Sequence, residues 1–330
     1  MNRRRFIINS SLFTLSGLSP IPLLAKDDYI GQSNIYFGFN KEGIAGILGR
    51  NIINKFNSMY PNHVFNYINE TSYRGLKAPT IVKNTQPGIN NLIQVTSAMM
   101  SVYPTLYKTL PFDPINDFTP IGTFGDFTFA LVVGPNVPDD VLSVDDYVQW
   151  IRDNPSYRDI GAALYGSESH LACLILSREK KVALRSVYYG GMRLIVEDLL
   201  DGELAAAFLV PGIAKPFIES GQFRMLAVTS AQRSRLLPDI PTLQENGVEG
   251  VDLNGWIGLM APANISQDML DFYISTLDQI KSDDEFKRMV EEKYLMEVNS
   301  ISPLEVSIRL NSDKDAYAVL FDKYQISKIS

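Results

Sequence analysis

Chemistry needs nucleophiles, acid–base groups or metal ligands at workable spacing, and this chain offers few of them. Its two histidines are His63 and His170, and its one cysteine is Cys173. Neither histidine sits in a ligand cluster and no H-E-x-x-H pair is present, so no metal site is expected. Gly166-Ser167-Glu168-Ser169-His170 sets hydroxyls beside an imidazole. The segment lacks the G-x-S-x-G elbow, however, and Ser169 and His170 are sequence neighbours at a helix start. No P-loop or G-x-G-x-x-G follows a strand. The acid pairs Asp145-Asp146 and Asp283-Asp284 stand at helix starts, where they complement the helix dipole. The expectation is a protein with no catalytic residue, no metal and no cofactor. Cys173 reads as a small buried hydrophobe on a helix.

The same Gly-Ser segment means more as a binding element. Free backbone N–H groups at a helix N-terminus attract anions, and small hydroxyl residues there add hydrogen bonds. Ser167 and Ser169 suit either that role or capping of their own helix. Tyr188-Tyr189-Gly190-Gly191 before a helix from Met192 is a second such turn, and Asn40 to Gly46 is a third. Three strand-to-helix turns rich in Gly or Ser are what a cleft at the carboxyl ends of parallel strands requires.

The elements that position these turns alternate. Asn34 to Phe39 reads as a strand. The helix after it sets Ile44, Ile47, Leu48, Ile52, Phe56 and Met59 on one face until Pro61 stops it. Apolar runs at Asn91 to Thr96, Phe127 to Val133, Ala205 to Val210 and Met225 to Thr229 suit buried strands. Helices are expected at Val144 to Asp153, Ser169 to Lys180 and Met192 to Leu200, with Gly202 as C-cap. Three more are expected at Ser266 to Lys281, Asp284 to Tyr294 and Pro303 to Tyr324. In the last, Tyr317, Leu320, Phe321 and Tyr324 share the packed face. The pattern predicts an α/β fold of mostly parallel sheets flanked by helices.

Composition bounds the partners. The 330 residues are 45% hydrophobic and 20% charged, an ordinary globular balance. Beyond residue 25 the chain carries 27 basic against 37 acidic residues. An acidic surface of that kind repels nucleic acid and anionic lipid, and no nucleic-acid partner is expected. Arg3, Arg4 and Arg5, then Phe6 and a mildly apolar stretch ending at Ala25, describe an export signal over residues 1–25, of twin-arginine type. The expected location is the periplasm of a Gram-negative bacterium.

Several segments together resemble the substrate-binding proteins of tripartite tricarboxylate transporters, the TctC-like or Bug family. The densest match runs from Gly221-Gln222-Phe223-Arg224-Met225-Leu226-Ala227-Val228-Thr229-Ser230 through Arg233, Leu237-Pro238-Asp239-Ile240-Pro241-Thr242 and Glu245-Asn246-Gly247. Leu110-Pro111-Phe112-Asp113-Pro114, Gly166-Ser167 with Ser169-His170-Leu171-Ala172, Tyr189-x-Gly191 and Trp256-x-Gly258-Leu259 are similar too. The resemblance implies a two-lobed periplasmic-binding-protein fold whose ligand cleft lies between the lobes. Residues 26–128 and 251–330 would form one lobe and 129–250 the other. It also implies a monomer that captures a small carboxylate or amide for membrane transporter subunits. An exported ligand sensor or partner-binding protein on the same fold is the alternative.

By motif, the implied ligand residues of the second lobe are Gly166, Ser167, Ser169, His170, Tyr189, Gly191 and Phe208. Those of the first are Phe39, Asn40, Gly43, Thr96 and Ser97. The first turn departs from the family pattern: it has lost two prolines, a glycine and an aspartate, with Gly46 at the aspartate position. Glu42 brings negative charge to that turn, and at ~4 Å two like charges cost roughly 4 kcal/mol at a surface-like dielectric.

Overall fold

The computed structural model describes residues 31–330, so the expected export signal over residues 1–25 lies outside the described residues. The strands are β1 (Gly31–Phe37), β2 (His63–Asn69), β3 (Asn90–Thr96), β4 (Phe118–Thr128), β5 (Ala130–Val133), β6 (Asp159–Ala162), β7 (Arg185–Tyr188), β8 (Ala206–Leu209), β9 (Arg224–Val228) and β10 (Asn254–Pro262). They form two five-stranded sheets, in the orders β2-β1-β3-β10-β4 and β7-β6-β8-β5-β9. The helices are α1 (Ile44–Met59), α2 (Lys77–Lys83), α3 (Tyr103–Leu106), α4 (Val144–Asp153), α5 (Glu168–Glu179), α6 (Met192–Leu200), α7 (Pro211–Glu219), α8 (Gln267–Ser282), α9 (Asp284–Arg288) and α10 (Pro303–Lys323).

Parallel pairing holds β1 to β2 and β3, and β6 to β7 and β8. Each sheet also gains antiparallel strands: β10 against β3 and β4, and β5 against β8 and β9. The apolar run from Phe127 to Val133 is therefore not one strand. It is the end of β4 and all of β5, and the chain passes from one sheet to the other at Phe129. The return passage from β9 to β10 runs alongside it. Thr229 Oγ1 accepts from the Phe129 N–H at 3.0 Å and donates to the Leu253 carbonyl at 2.6 Å, tying both passages at one point.

The faces marked by periodicity in α1 and α10 are buried in part. α1 buries Leu48, Ile52, Ile53 and Phe56, and ends just before Pro61. α4 carries a full capping box, Ser143 with Asp146, a device worth about 1 kcal/mol. α6 ends at Leu200, and Gly202 takes the left-handed conformation, φ +77°, that stops it. α10 buries Val306, Leu310, Tyr317 and Phe321. These side chains belong to a hydrophobic cluster with members from both sheets, among them Val95 of β3 and Leu131 of β5. A second cluster, around Leu48, Phe56 and Tyr273, lies within the first sheet and its helices; a third, around Ile195, Leu199 and Phe223, lies within the second.

Candidate functional site

Where the carboxyl ends of β1, β3, β6 and β7 face one another, their outgoing turns enclose a cavity of about 240 Å³. An outer chamber of about 670 Å³ shares Phe39, Asn40, Leu164, Ser167 and Gly190 with it and is also lined by Lys41, Arg74 and Tyr103. The inner walls are mostly apolar, with Phe37, Phe127, Phe129, Met192, Ile213 and Met296 facing in.

The first turn runs from Gly38 to Gly43. The Asn40 side chain accepts from the Glu42 N–H at 3.0 Å, and its carbonyl accepts from the Gly43 N–H at 3.2 Å. Gly43 is the N-cap of α1, and no side chain caps the helix there. The missing aspartate has a packing reason. A Cβ on Gly46 would lie 2.2 Å from the Lys41 carbonyl oxygen and 2.5 Å from its Cα, because the turn folds back over the first turn of α1. Glu42 is not a cavity residue: its side chain is 66% exposed and stands 3.9 Å from Arg50. The repulsion expected from Glu42 therefore falls in solvent.

The second turn is held by its own hydroxyls. Ser167 Oγ donates to the Leu164 carbonyl at 2.7 Å and accepts from the His170 N–H at 3.4 Å, so it caps α5. Ser169 Oγ accepts from the Ala163 N–H at 3.0 Å and lies 3.0 Å from Ser167 Oγ. Gly166 has φ +77°, which favours glycine, and a Cβ there would also press Leu106 Cδ1 at 2.7 Å. The Gly166 N–H donates to His170 Nδ1 at 3.0 Å, which puts the ring proton on Nε2, 3.1 Å from the Tyr188 hydroxyl. Burial holds the His170 pKa down at about 4, so the ring is neutral near pH 7.

The third turn, Tyr189 to Gly191, leads into α6 with Gly191 as N-cap and no side-chain cap. A Cβ on Gly190 or Gly191 would meet no atom within 4 Å, so the backbone here borders open space.

Eight of the twelve residues expected from the sequence line the inner cavity: Phe39, Asn40, Gly43, Thr96, Ser97, Ser167, Ser169 and Gly191. The other four stand behind it. Gly166 and His170 shape the second turn, as above. Tyr189 turns its hydroxyl to Asp198, and Phe208 is fully buried in the core of the second sheet. One residue that sequence reasoning passed over also lines the cavity. Glu168 is 2% exposed and accepts a hydrogen bond from Ser97 Oγ at 2.8 Å. Burial pushes its carboxyl above the usual range. An acid at the first position of a helix is so commonly a partner of the helix dipole that its type and place gave no signal. Among the described residues, no group of three or more His, Cys, Asp or Glu side chains is placed to hold a metal ion.

Two sheets joined by two neighbouring passages of the chain, with a cavity walled by helix-start turns from both, form the two-lobed architecture of a solute-binding protein. The family model described as tripartite tricarboxylate transporter family receptor matches residues 69–302, and the chain belongs to that family. A protein from the gbd 5' region of Cupriavidus necator is 26% identical over 306 residues, 90% of this chain and 91% of that one. BugT of Bordetella pertussis is 28% identical over 180 residues, 54% of this chain and 55% of its own length. Among solved structures, an R. palustris protein with adipate superposes with TM-score 0.82 at 24% identity, covering 92% of this chain and all of that one. The periplasmic binding protein BugD does so with TM-score 0.79 at 23% identity, covering 91% and 99%. At such identities the structural likeness speaks for the fold.

Proposed function

We propose that the protein captures a small organic acid or a related amide in the inner cavity and delivers it to the membrane subunits of a tripartite transporter, without altering it chemically. The observation that carries this reading is the cavity itself, closed by the turns before α1, α5 and α6 at the carboxyl ends of strands from both sheets. Two of those helices, α1 and α6, begin without a side-chain cap at Gly43 and Gly191, and a helix start of that kind favours an anionic end. The adipate in the R. palustris structure and the malate bound to MatC from Rhodopseudomonas palustris support an acid as the ligand class. The reading takes residues 26–128 and 251–330 as one lobe and 129–250 as the other, with the eight expected residues that line the cavity as ligand residues and Glu168 added. It also places the mature chain in the periplasm as a monomer, exported by the signal over residues 1–25. Among the described residues no helix is long and apolar enough to cross a membrane.

Thermal unfolding of the purified protein against acids, amino acids and amides tests the proposal. A bound solute at a hundredfold excess over Kd raises stability by about 2.7 kcal/mol. No shift with any class would count decisively against solute capture.

A further inference from the structure

Among the described residues lining the inner cavity, Glu168 alone carries an ionisable side chain. It reaches the cavity from the first position of α5 and is fixed by Ser97 Oγ, a donor supplied from the opposite sheet. A carboxyl that only complemented the helix dipole would do so as well from solvent, as Asp145 does at the start of α4 with its side chain 73% exposed. Glu168 instead is buried, its carboxyl held by Ser97 and near Asp313, Tyr103 and Tyr317, in a lining it shares with Phe37, Phe129 and Ile213, where a carboxylate without further donors loses its hydration. The remaining polar walls, Asn40, Thr96, Ser97, Ser167 and Ser169, bring no cation to meet it. Among the described residues that line the two chambers, positive charge appears only at Lys41 and Arg74 of the outer one.

We infer that Glu168 sets the specificity of this cavity and selects a solute whose inner end donates hydrogen bonds, an ammonium or a primary amide, over one carrying a carboxylate there. The preferred solute is amphoteric. A donor group meets Glu168, an apolar body lies along the aromatic walls, and an acid end faces Lys41 and Arg74. This rests on the solute-capture reading and narrows its ligand class to amino acids and amide-bearing acids, away from dicarboxylates.

The test is calorimetric titration of the purified protein with three matched series: the dicarboxylates from succinate to suberate, and the ω-amino acids and ω-monoamides of equal chain length. The best amine or amide is expected to bind at least about tenfold tighter than its matched dicarboxylate, a difference of about 1.4 kcal/mol. Glu168→Gln, which keeps the side-chain length and the acceptor for Ser97, should erase the preference for the amine. A dicarboxylate ranked first in the unaltered protein overturns the inference and leaves solute capture standing. So does an amine preference that survives Glu168→Gln unchanged, since another group would then set it. Binding of no member of any series overturns solute capture and this inference with it. The ranking in the unaltered protein decides the matter even if the variant does not fold.

Discussion

Replacing Gly46 by alanine puts the account of the first turn at risk, because two physical effects predict opposite signs. Gly46 lies in the first turn of α1, and intrinsic helix propensity alone makes alanine better there by about 1 kcal/mol. The structure says otherwise. The new Cβ would stand 2.2 Å from the Lys41 carbonyl oxygen and 2.5 Å from its carbonyl carbon and Cα, all backbone atoms that no rotamer change can move aside. An ordinary carbon–oxygen contact is near 3.5 Å, so the turn must shift by about 1 Å. Overpacking of this kind costs about 1–3 kcal/mol, which exceeds or cancels the propensity gain. The shift also carries Asn40 and Gly43, both cavity residues, and disturbs the hydrogen bond from Arg50 Nη1 to the Lys41 carbonyl. Urea denaturation should therefore show no gain and a net loss of up to about 2 kcal/mol, and titration with a solute found by the thermal screen should show weaker binding. An alanine variant more stable than the parent, with unchanged binding, would refute the claim that the backbone occupies the place of the family's aspartate side chain.

Ser167→Ala removes both the α5 cap and the donor to the Leu164 carbonyl, so stability should fall by about 1–3 kcal/mol with affinity falling alongside; denaturation and calorimetry on the same samples separate the two. Ser97→Ala leaves the buried Glu168 carboxyl without its donor from the opposite sheet, and a loss of about 1–3 kcal/mol in urea denaturation is expected. The folded pKa of His170 is about 4 and its unfolded value is near the ordinary 6.5. Its stabilising neutral form is thus fully present above about pH 6.5 and lost as pH falls toward 4, at a cost of roughly 3 kcal/mol. Stability measured from pH 4 to 8 should drop more steeply on acidification in the parent than in His170→Asn; identical slopes would remove His170 from the account.

Helices with one apolar face were legible because periodicity and punctuation agreed. Pro61 closes α1, Gly202 follows α6, and Tyr317 and Phe321 mark the buried side of α10. Two of the antiparallel strands, β4 and β10, were harder to read, and the parallel strands β2, β6 and β7 were not expected either. β4 carries Pro120, Gly122, Gly125 and Asp126 within its span, and β10 carries two glycines, so neither shows an unbroken apolar run. The three turns were legible as a set, since Gly and Ser before a helix have a physical meaning wherever they recur. What each side chain does within a turn was not. Glu42 and Glu168 both stand at helix starts, and only the packing shows that one is in water and the other buried in the cavity lining. Phe208 and Tyr189 follow family motifs but answer to the core and to Asp198. A motif preserves backbone path more faithfully than the direction of each side chain.

The open backbone at Gly190 and Gly191 has a consequence for how such a receptor changes over generations. Gly46 and Gly166 are locked, because any side chain there strikes Lys41 or Leu106. At Gly190 and Gly191 a new side chain meets empty space, and Gly191 with φ 165° already holds an extended backbone that any residue adopts. Both line the inner cavity. A single codon change there adds a group to the pocket without asking the fold to move, so the third turn is where a lineage can trade one nutrient for another while the rest of the molecule stays as it is.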